Sequence, residues 1–270
     1  MNLPMNGNKF HYRSIWISDT HIGTKHCQAD SLIQFLSSTD SEYLYLVGDI
    51  VDLWAMKKNI FWPRQHSEIL EIIQKKADSG TKVIFTPGNH DSALHAFSGK
   101  SIGNIQVESI ITHITADNRS LLVLHGDQLD PLMHAHVGYW LNYLGDKGYD
   151  FILYFNHYLG RLQKSLGMKY WSLASFIKNN LKNAIKHITT YENLLVGLAR
   201  EHKVDGVICG HIHYPRKNES SAINYYNTGD WVENCAALTE SDEGNINLLY
   251  WSELEDELKR KDSQTESIAA

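Results

Sequence analysis

Asp19, His21, Asp49, Asn89, His125, His211 and His213 stand in five short polar clusters spread along the chain. These are Asp19-Thr20-His21, Gly48-Asp49-Ile50-Val51-Asp52, Gly88-Asn89-His90-Asp91, His125-Gly126-Asp127 and Gly210-His211-Ile212-His213. Two carboxylates, one amide oxygen and four imidazoles are hard and borderline donors, with no thiolate among them, which suits manganese, iron or zinc. Seven donors are too many for one ordinary site. They suffice for two divalent ions if one carboxylate bridges, which leaves positions for water and substrate. Asp49 is the natural bridge. Two such ions bring roughly +4, the carboxylates return about −2 and a shared hydroxide about −1, so about +1 is left to attract an anionic phosphoryl group. The chemistry expected is hydrolysis of a phosphate ester by attack of a metal-bridging hydroxide on phosphorus.

His90 follows one candidate ligand and precedes Asp91, so the pair are the candidate catalytic residues. His90 is expected to act as general acid, or to donate to the non-bridging oxygens, with a carboxylate holding its tautomer. Asn89 and His90 are also expected to touch substrate. Asp52 and Asp127 are expected to orient ligands from behind.

Each cluster follows a short apolar run: Ser14 to Ile17, Tyr43 to Val47, Val83 to Phe85, Leu121 to Leu124 and Gly206 to Cys209. These runs read as buried strands, and loops beyond the carboxyl ends of strands in an α/β sheet converge on one crevice. Helical spacing over Ser31 to Leu36 and His66 to Ala77 makes the first half a series of β-α units. The glycines before Asp49, Asn89 and His211 are expected to let the backbone turn where each strand stops. Late runs, Ile223 to Tyr226 and Ile246 to Trp251, are expected to complete a sheet-on-sheet core. Residues 11–252 read as a single domain, and 253–270 as a frayed terminal helix and charged tail.

Net charge is −6, from 25 Lys plus Arg against 31 Asp plus Glu, so no nucleic-acid partner is expected and an anion must be met locally. Only Cys27, Cys209 and Cys235 are present, an irregular odd set that suits free thiols in a reducing compartment. The first residues hold no basic segment followed by an apolar run, and no stretch of about 18 apolar residues occurs. A cytoplasmic protein is expected, with peripheral attachment at the inner membrane surface left open.

The ordered series of motifs from Arg13 to Asp230 resembles that of the calcineurin-like metallophosphoesterases. The resemblance implies an α/β fold, a β-sandwich flanked by helices. It also implies two metal positions, one held by Asp19, His21, Asp49 and His213 and the other by Asp49, Asn89, His125 and His211. Within that superfamily, three features resemble UDP-2,3-diacylglucosamine diphosphatases, which cut the pyrophosphate of a lipid A precursor. They are Gly48-Asp49-Ile50-Val51-Asp52-Leu53-Trp54, the insertion after His125, and Thr228-Gly229-Asp230-Trp231. The best-known branch of those enzymes resembles Gly-Asn-Arg-Asp where this chain has Gly88-Asn89-His90-Asp91.

Residues 129–200 read as a helical cap insertion crowded with aromatics. Between Phe151 and Thr190 it holds Arg161, Lys164, Lys169, Lys178, Lys182 and Lys186 and no acidic residue. Lys178, Lys182 and Lys186 share one helix face, while Ile177, Leu181, Ala184, Ile185 and Ile188 form an apolar stripe. Such a helix suits an anionic membrane or a pocket for acyl chains and phosphate, with Lys178 and Lys182 as candidate substrate contacts. Three readings follow. The first is a manganese-dependent hydrolase of a nucleotide-linked, lipid-bearing pyrophosphate. The second is a phosphodiesterase or phosphatase of a soluble substrate, and the third a scaffold that kept the fold and lost catalysis.

Overall fold

A computed structural model describes residues 5–6, 9–131 and 173–255. The chain divides into two compact units, Met1–Asp127 with Leu195–Ala270, and Gln128–Leu194. Among the described residues, no helix is long and apolar enough to cross a membrane.

The larger unit is a mixed α/β structure with two sheets. In chain order its strands are β1 Met5–Asn6, β2 Lys9–Ile17, β3 Thr39–Val47, β4 Lys82–Thr86, β5 Lys100–Ile102, β6 Ile105–Val107, β7 Ile111–Ile114, β8 Ser120–Val123, β9 Gly206–Cys209, β10 Arg216–Asn218, β11 Asn224–Asn227, β12 Ala236–Glu240 and β13 Ile246–Tyr250. The helices α1 Ala29–Ser38, α2 Leu53–Met56 and α3 Arg64–Asp78 lie in its first half. One sheet runs β13-β12-β2-β3-β4-β6-β5 with β1 paired to β2, and the other runs β10-β11-β9-β8-β7. Strands β2, β3 and β4 are mutually parallel, as are β8, β9 and β11, and antiparallel strands close the edges.

The alternation of side chains along the central strands explains the layering. Ile15, Ile17, Leu44, Leu46, Val83 and Phe85 join Leu32, Phe35, Leu36, Ile69 and Ile73 of α1 and α3 in one apolar cluster. The intervening residues Trp16, Tyr45, Val47 and Ile84 point the other way and meet Leu121, Val123, Ile208 and Tyr226 of the second sheet. A strand apolar on both faces is what a sheet covered on both sides requires. Each fully buried aliphatic or aromatic side chain contributes about 1.5–3 kcal/mol, so the two layers fix the register of β2, β3 and β4.

Several short strands had no expectation from sequence: β5, β6, β7, β10 and β12. Strand β13 stops at Tyr250 rather than Trp251, because Trp251 begins a helical turn over residues 251–255 that buries both Trp251 and Leu254. The rest of the expected tail, 256–270, lies outside the described residues. So do residues 132–172 of the expected insertion.

The insertion's last helix is described as α4 Leu173–Glu201. The expected stripe and basic face begin on it, but the side chains of Ile177, Lys178, Leu181, Lys182 and Ala184 lie outside the described residues. Lys186 is exposed, and Ile185 is 54% exposed. Cys27, Cys209 and Cys235 are free thiols.

Candidate metal centre

The parallel strands deliver their loops to one place. Beyond the end of β2, Asp19 N–H donates to Gly48 O at 3.0 Å, His21 N–H to Asp49 O at 3.0 Å and Ile22 N–H to Ile50 O at 2.9 Å, so the ladder continues into both loops. In the second sheet Gly210 N–H reaches His125 O at 3.1 Å, and Trp231 N–H reaches Asp19 O at 3.1 Å, tying the two sheets' loops together.

Five of the expected ligands hold left-handed backbone: Asp19 at φ 50°, His21 at 47°, Asp49 at 53°, His211 at 72° and His213 at 52°. For residues with a side chain this conformation costs about 1–3 kcal/mol each, and it persists where surrounding structure over-determines it. The ladder bonds above supply that restraint. The neighbouring glycines do two different things. Gly48 has φ 79° and turns the chain, as expected. At Gly88 and Gly210 the requirement is room: a Cβ at Gly88 would collide with the Asp49 carboxylate and the His125 ring, and one at Gly210 with Ser18 and the Asp19 carboxylate.

The side chains then form overlapping donor groups. Donor atoms of Asp19, His21 and His213 lie within 4.8 Å of one another, as do those of Asp49, His125 and His211, and those of His21, Asp49 and His90. His213 Nε2 is 3.1 Å from Asp19 Oδ1 and 3.3 Å from His21 Nε2, while His125 Nε2 is 3.4 Å from Asp49 Oδ2. The far nitrogens are fixed from behind. His125 Nδ1–H donates to Val47 O at 2.9 Å, and His21 Nδ1–H donates to Asp52 Oδ2 at 3.0 Å, which turns each Nε2 toward the cluster. Asp19 is completed by Ser18 Oγ–H and by His211 N–H at 3.0 Å, both on Oδ2.

Whether the donor set fits a cation can be judged from what is left over. The Asn89 amide oxygen is buried and accepts no hydrogen bond, and buried Asp19 Oδ1 has only the His213 imidazole, 3.1 Å away, beside it. An amide oxygen buried without a donor costs about 1–3 kcal/mol unless something electropositive meets it. Together with four imidazoles and the Asp49 carboxylate, these oxygens fit divalent ions.

The charges of the cluster point the same way. Burial works against ionised Asp19, yet His213, His125 and His21 hold its carboxyl below the usual range. Asp49 is also lowered, with His125 outweighing burial. Burial pushes His125 down, but Asp49 overrides it and raises the imidazole to about 10, and Asp19 likewise carries His213 to about 9. Protons here neutralise carboxylates that a metal cation would neutralise instead.

The placement of His90 corrects one expectation. The carboxylate that meets it is Asp52, with Oδ2 2.9 Å from His90 Nδ1, not the adjacent Asp91. Asp91 points away, its Oδ1 accepting from Gly88 N–H at 2.6 Å and its Oδ2 from Ile50 N–H at 2.8 Å and Val51 N–H at 3.3 Å. Burial raises its carboxyl, and the nearby Asp49 adds to that. Asp91 therefore holds the Asp49 loop against the Asn89 loop. His90 Nε2 lies 4.0 Å from Asp49 Oδ2, and its backbone N–H donates to Asp49 Oδ1 at 2.8 Å. Burial lowers the His90 imidazole, but Asp52 and Asp49 outweigh it, so its pKa is raised.

Other supports carried only weak sequence signals. Thr228 Oγ1 lies 2.5 Å from Ser18 Oγ and donates to Cys209 O at 3.0 Å. Asp230 Oδ1 accepts the N–H groups of Val232 and Glu233, and Asn234 Nδ2 reaches His213 O at 3.2 Å. Buried Trp231 packs on Phe35 with ring centroids 5.0 Å apart. Thr228-Gly229-Asp230-Trp231 is thus a brace for the His211–His213 loop. Asp127 ends the His125 loop, and its Oδ1 is buried without a hydrogen bond.

Residues 12–215 match a family model described as calcineurin-like phosphoesterase, more than half of the chain. Over 244 residues the chain is 24% identical to a UDP-2,3-diacylglucosamine hydrolase of Vibrio atlanticus, spanning 84% of this chain and 92% of that protein. A UDP-2,3-diacylglucosamine hydrolase of Haemophilus influenzae is 24% identical over 241 residues, spanning 85% of this chain and 95% of its own. Among solved structures, a hypothetical protein of Pyrococcus horikoshii OT3 aligns over 94% of both chains with 10% identity and a TM-score of 0.48.

Proposed function

From the premise that this chain belongs to the calcineurin-like phosphoesterase family and is a phosphoester hydrolase, we propose that it cleaves the pyrophosphate of a nucleotide-linked, lipid-bearing substrate of the UDP-2,3-diacylglucosamine kind. The observation that carries the hydrolytic part is the pair of donor groups, Asp19, His21 and His213 beside Asp49, His125 and His211, with the Asn89 amide oxygen left without a donor. The lipid part rests on relatives named for that activity, which match over most of their length.

In this reading Asp19, His21, Asp49 and His213 hold one divalent ion and Asp49, Asn89, His125 and His211 another, manganese being the first expected. When bound, the ions supply Lewis-acid charge to the phosphoryl oxygens and lower the pKa of water. The remaining work belongs to the chain. His90, tied at Nδ1 to Asp52, keeps Nε2 on the side of Asp49 and donates a proton or hydrogen bond to the phosphoryl or leaving oxygen. Asp52 acts through His90 and His21 and is a positioning residue. Lys178 and Lys182 remain proposed contacts for the substrate's phosphates.

Manganese-supplemented hydrolysis by the native protein and by Asn89→Ala tests the site. Loss of activity in the variant is expected, and equal rates would remove the proposed centre. Faster turnover of UDP-2,3-diacylglucosamine than of an aryl phosphodiester is expected of the native enzyme. The reverse order would favour a soluble phosphodiester, a reading that His90, in place of the arginine of the best-known lipid branch, already supports.

A further inference from the structure

We propose that the segment Leu53–Arg64 is a membrane-docking element that seats this protein on an anionic lipid surface beside its reaction centre. The inference rests on the proposed lipid-bearing substrate, and the observations behind it are independent of the metal ligands. Ten large apolar side chains stand exposed among the described residues, and four of them fall in this one stretch: Trp54 at 59%, Ile60 at 72%, Phe61 at 42% and Trp62 at 36%. Such a concentration costs a water-exposed surface about 25 cal/mol for every Å² left uncovered, and clustered apolar exposure marks an interaction site.

The surrounding charge selects the partner. Lys57, Lys58 and Arg64 are exposed within the same stretch, and no acidic residue occurs from Leu53 to Ser67, in a chain whose net charge is −6. Exposed tryptophan and phenylalanine interleaved with lysine and arginine suit the headgroup layer of an anionic bilayer, where rings enter the interface and cations stay with the phosphates. Lys58 Nζ already stands 5.7 Å from the Trp54 ring centroid.

The patch is held in place and borders the metal loops. Trp62 Nε1–H donates to Ser67 Oγ at 3.0 Å, and the Phe61 and Trp62 rings pack edge-on to His66 at 5.8 and 5.6 Å. His66 Nδ1 in turn accepts Gly23 N–H at 3.1 Å, two residues beyond His21. At the other end the Trp54 ring meets His90 edge-on at 5.4 Å. Docking through this surface places the reaction centre at headgroup depth, where a lipid-linked pyrophosphate resides.

Co-sedimentation of the full chain with phosphatidylcholine vesicles, with and without phosphatidylglycerol, tests the proposal. Binding that requires phosphatidylglycerol and weakens with salt is expected. Removing the charges with Lys57→Gln and Lys58→Gln should lower partitioning about 30-fold, from about fivefold per lysine. Ile60→Ser with Phe61→Ser should lower it at least about tenfold. Both double variants should hydrolyse a soluble aryl phosphodiester as the native protein does, which separates docking from catalysis. Native protein that ignores anionic vesicles, or variants that bind them unchanged, would overturn the proposal whatever the hydrolysis assay gives. A loss of hydrolysis in the native protein would instead sink the hydrolase reading and leave the vesicle result standing.

Discussion

Replacing Asp52 by Asn separates the orienting carboxylate from the ligands it orients. Asp52 Oδ2 faces two imidazole nitrogens, His21 Nδ1 at 3.0 Å and His90 Nδ1 at 2.9 Å, while Oδ1 accepts Ala55 N–H at 2.6 Å and caps α2. An asparagine has one acceptor and one donor end. With the amide oxygen toward the histidines, the Ala55 N–H loses its cap. With the amide nitrogen toward them, both Nδ1–H groups face a donor, and His21 must move its proton to Nε2 and give up the lone pair that faces the donor cluster. Either way one orienting contact is lost, and changes to groups behind metal ligands cost about 10–100-fold in affinity or activity, about 1.4–2.7 kcal/mol. Metal titration, steady-state hydrolysis of an aryl phosphodiester under saturating manganese, and thermal unfolding of the metal-free protein together resolve the effect. We expect weaker metal binding and slower turnover, with unfolding changed by no more than about 1 kcal/mol, the worth of a helix cap. An Asp52→Asn protein with native metal affinity and native turnover would show that the Asp52 bridge has no role.

Gly88→Ala should leave a folded protein with hydrolysis reduced about 100-fold, since the new Cβ displaces the Asp49 carboxylate and the His125 ring and small misplacements at a reacting centre cost that much; native turnover by the variant would refute the close-approach argument. Adding free manganese at about 100 times its dissociation constant should stabilise the fold by about 2.7 kcal/mol over the chelated protein, read as a thermal shift, and no shift would count against a built metal site. Glu240→Gln should cost about 3 kcal/mol in urea unfolding, because Glu240 is fully buried and takes Arg13 at 2.7 Å, His113 at 2.8 Å and Ser14 at 2.6 Å. Burial opposes its charge, but His113, Ser14 and Ala116 N–H hold its carboxyl below the ordinary 4.5. The stability it contributes is therefore complete above about pH 4.5 and is lost as pH falls through the lower folded value. The variant's unfolding curve should be flatter across that window, and parallel curves would refute the assignment.

What could be read from residues alone was whatever a strand and its following loop encode locally. The apolar runs ending at Ile17, Val47, Phe85 and Cys209 gave strands, and the polar clusters after them gave the candidate ligands, because a parallel strand can send its loop only to one edge of its sheet. Short strands such as β5, exposed along its length, and β12, Ala-Ala-Leu-Thr-Glu, carry no alternation that would reveal them. Pairing creates them, with the hairpin neighbour β6 for β5 and with the distant β2 for β12, and the second pairing brings Glu240 onto Arg13.

Tertiary structure also decided the division of labour among the carboxylates. Adjacency in sequence suggested Asp91 as the partner of His90, but Asp91 is drawn to backbone N–H groups of the neighbouring loop, and Asp52, from another strand's end, takes the imidazole. Likewise the glycines read as turn formers, yet Gly88 and Gly210 are required for room that only the packed histidine and carboxylates define. Local sequence is enough to say which donor atoms are present and that strand ends gather them. Which oxygen meets which nitrogen depends on distances of a few Å between loops that no local pattern encodes, and folding of the two sheets against each other sets those distances.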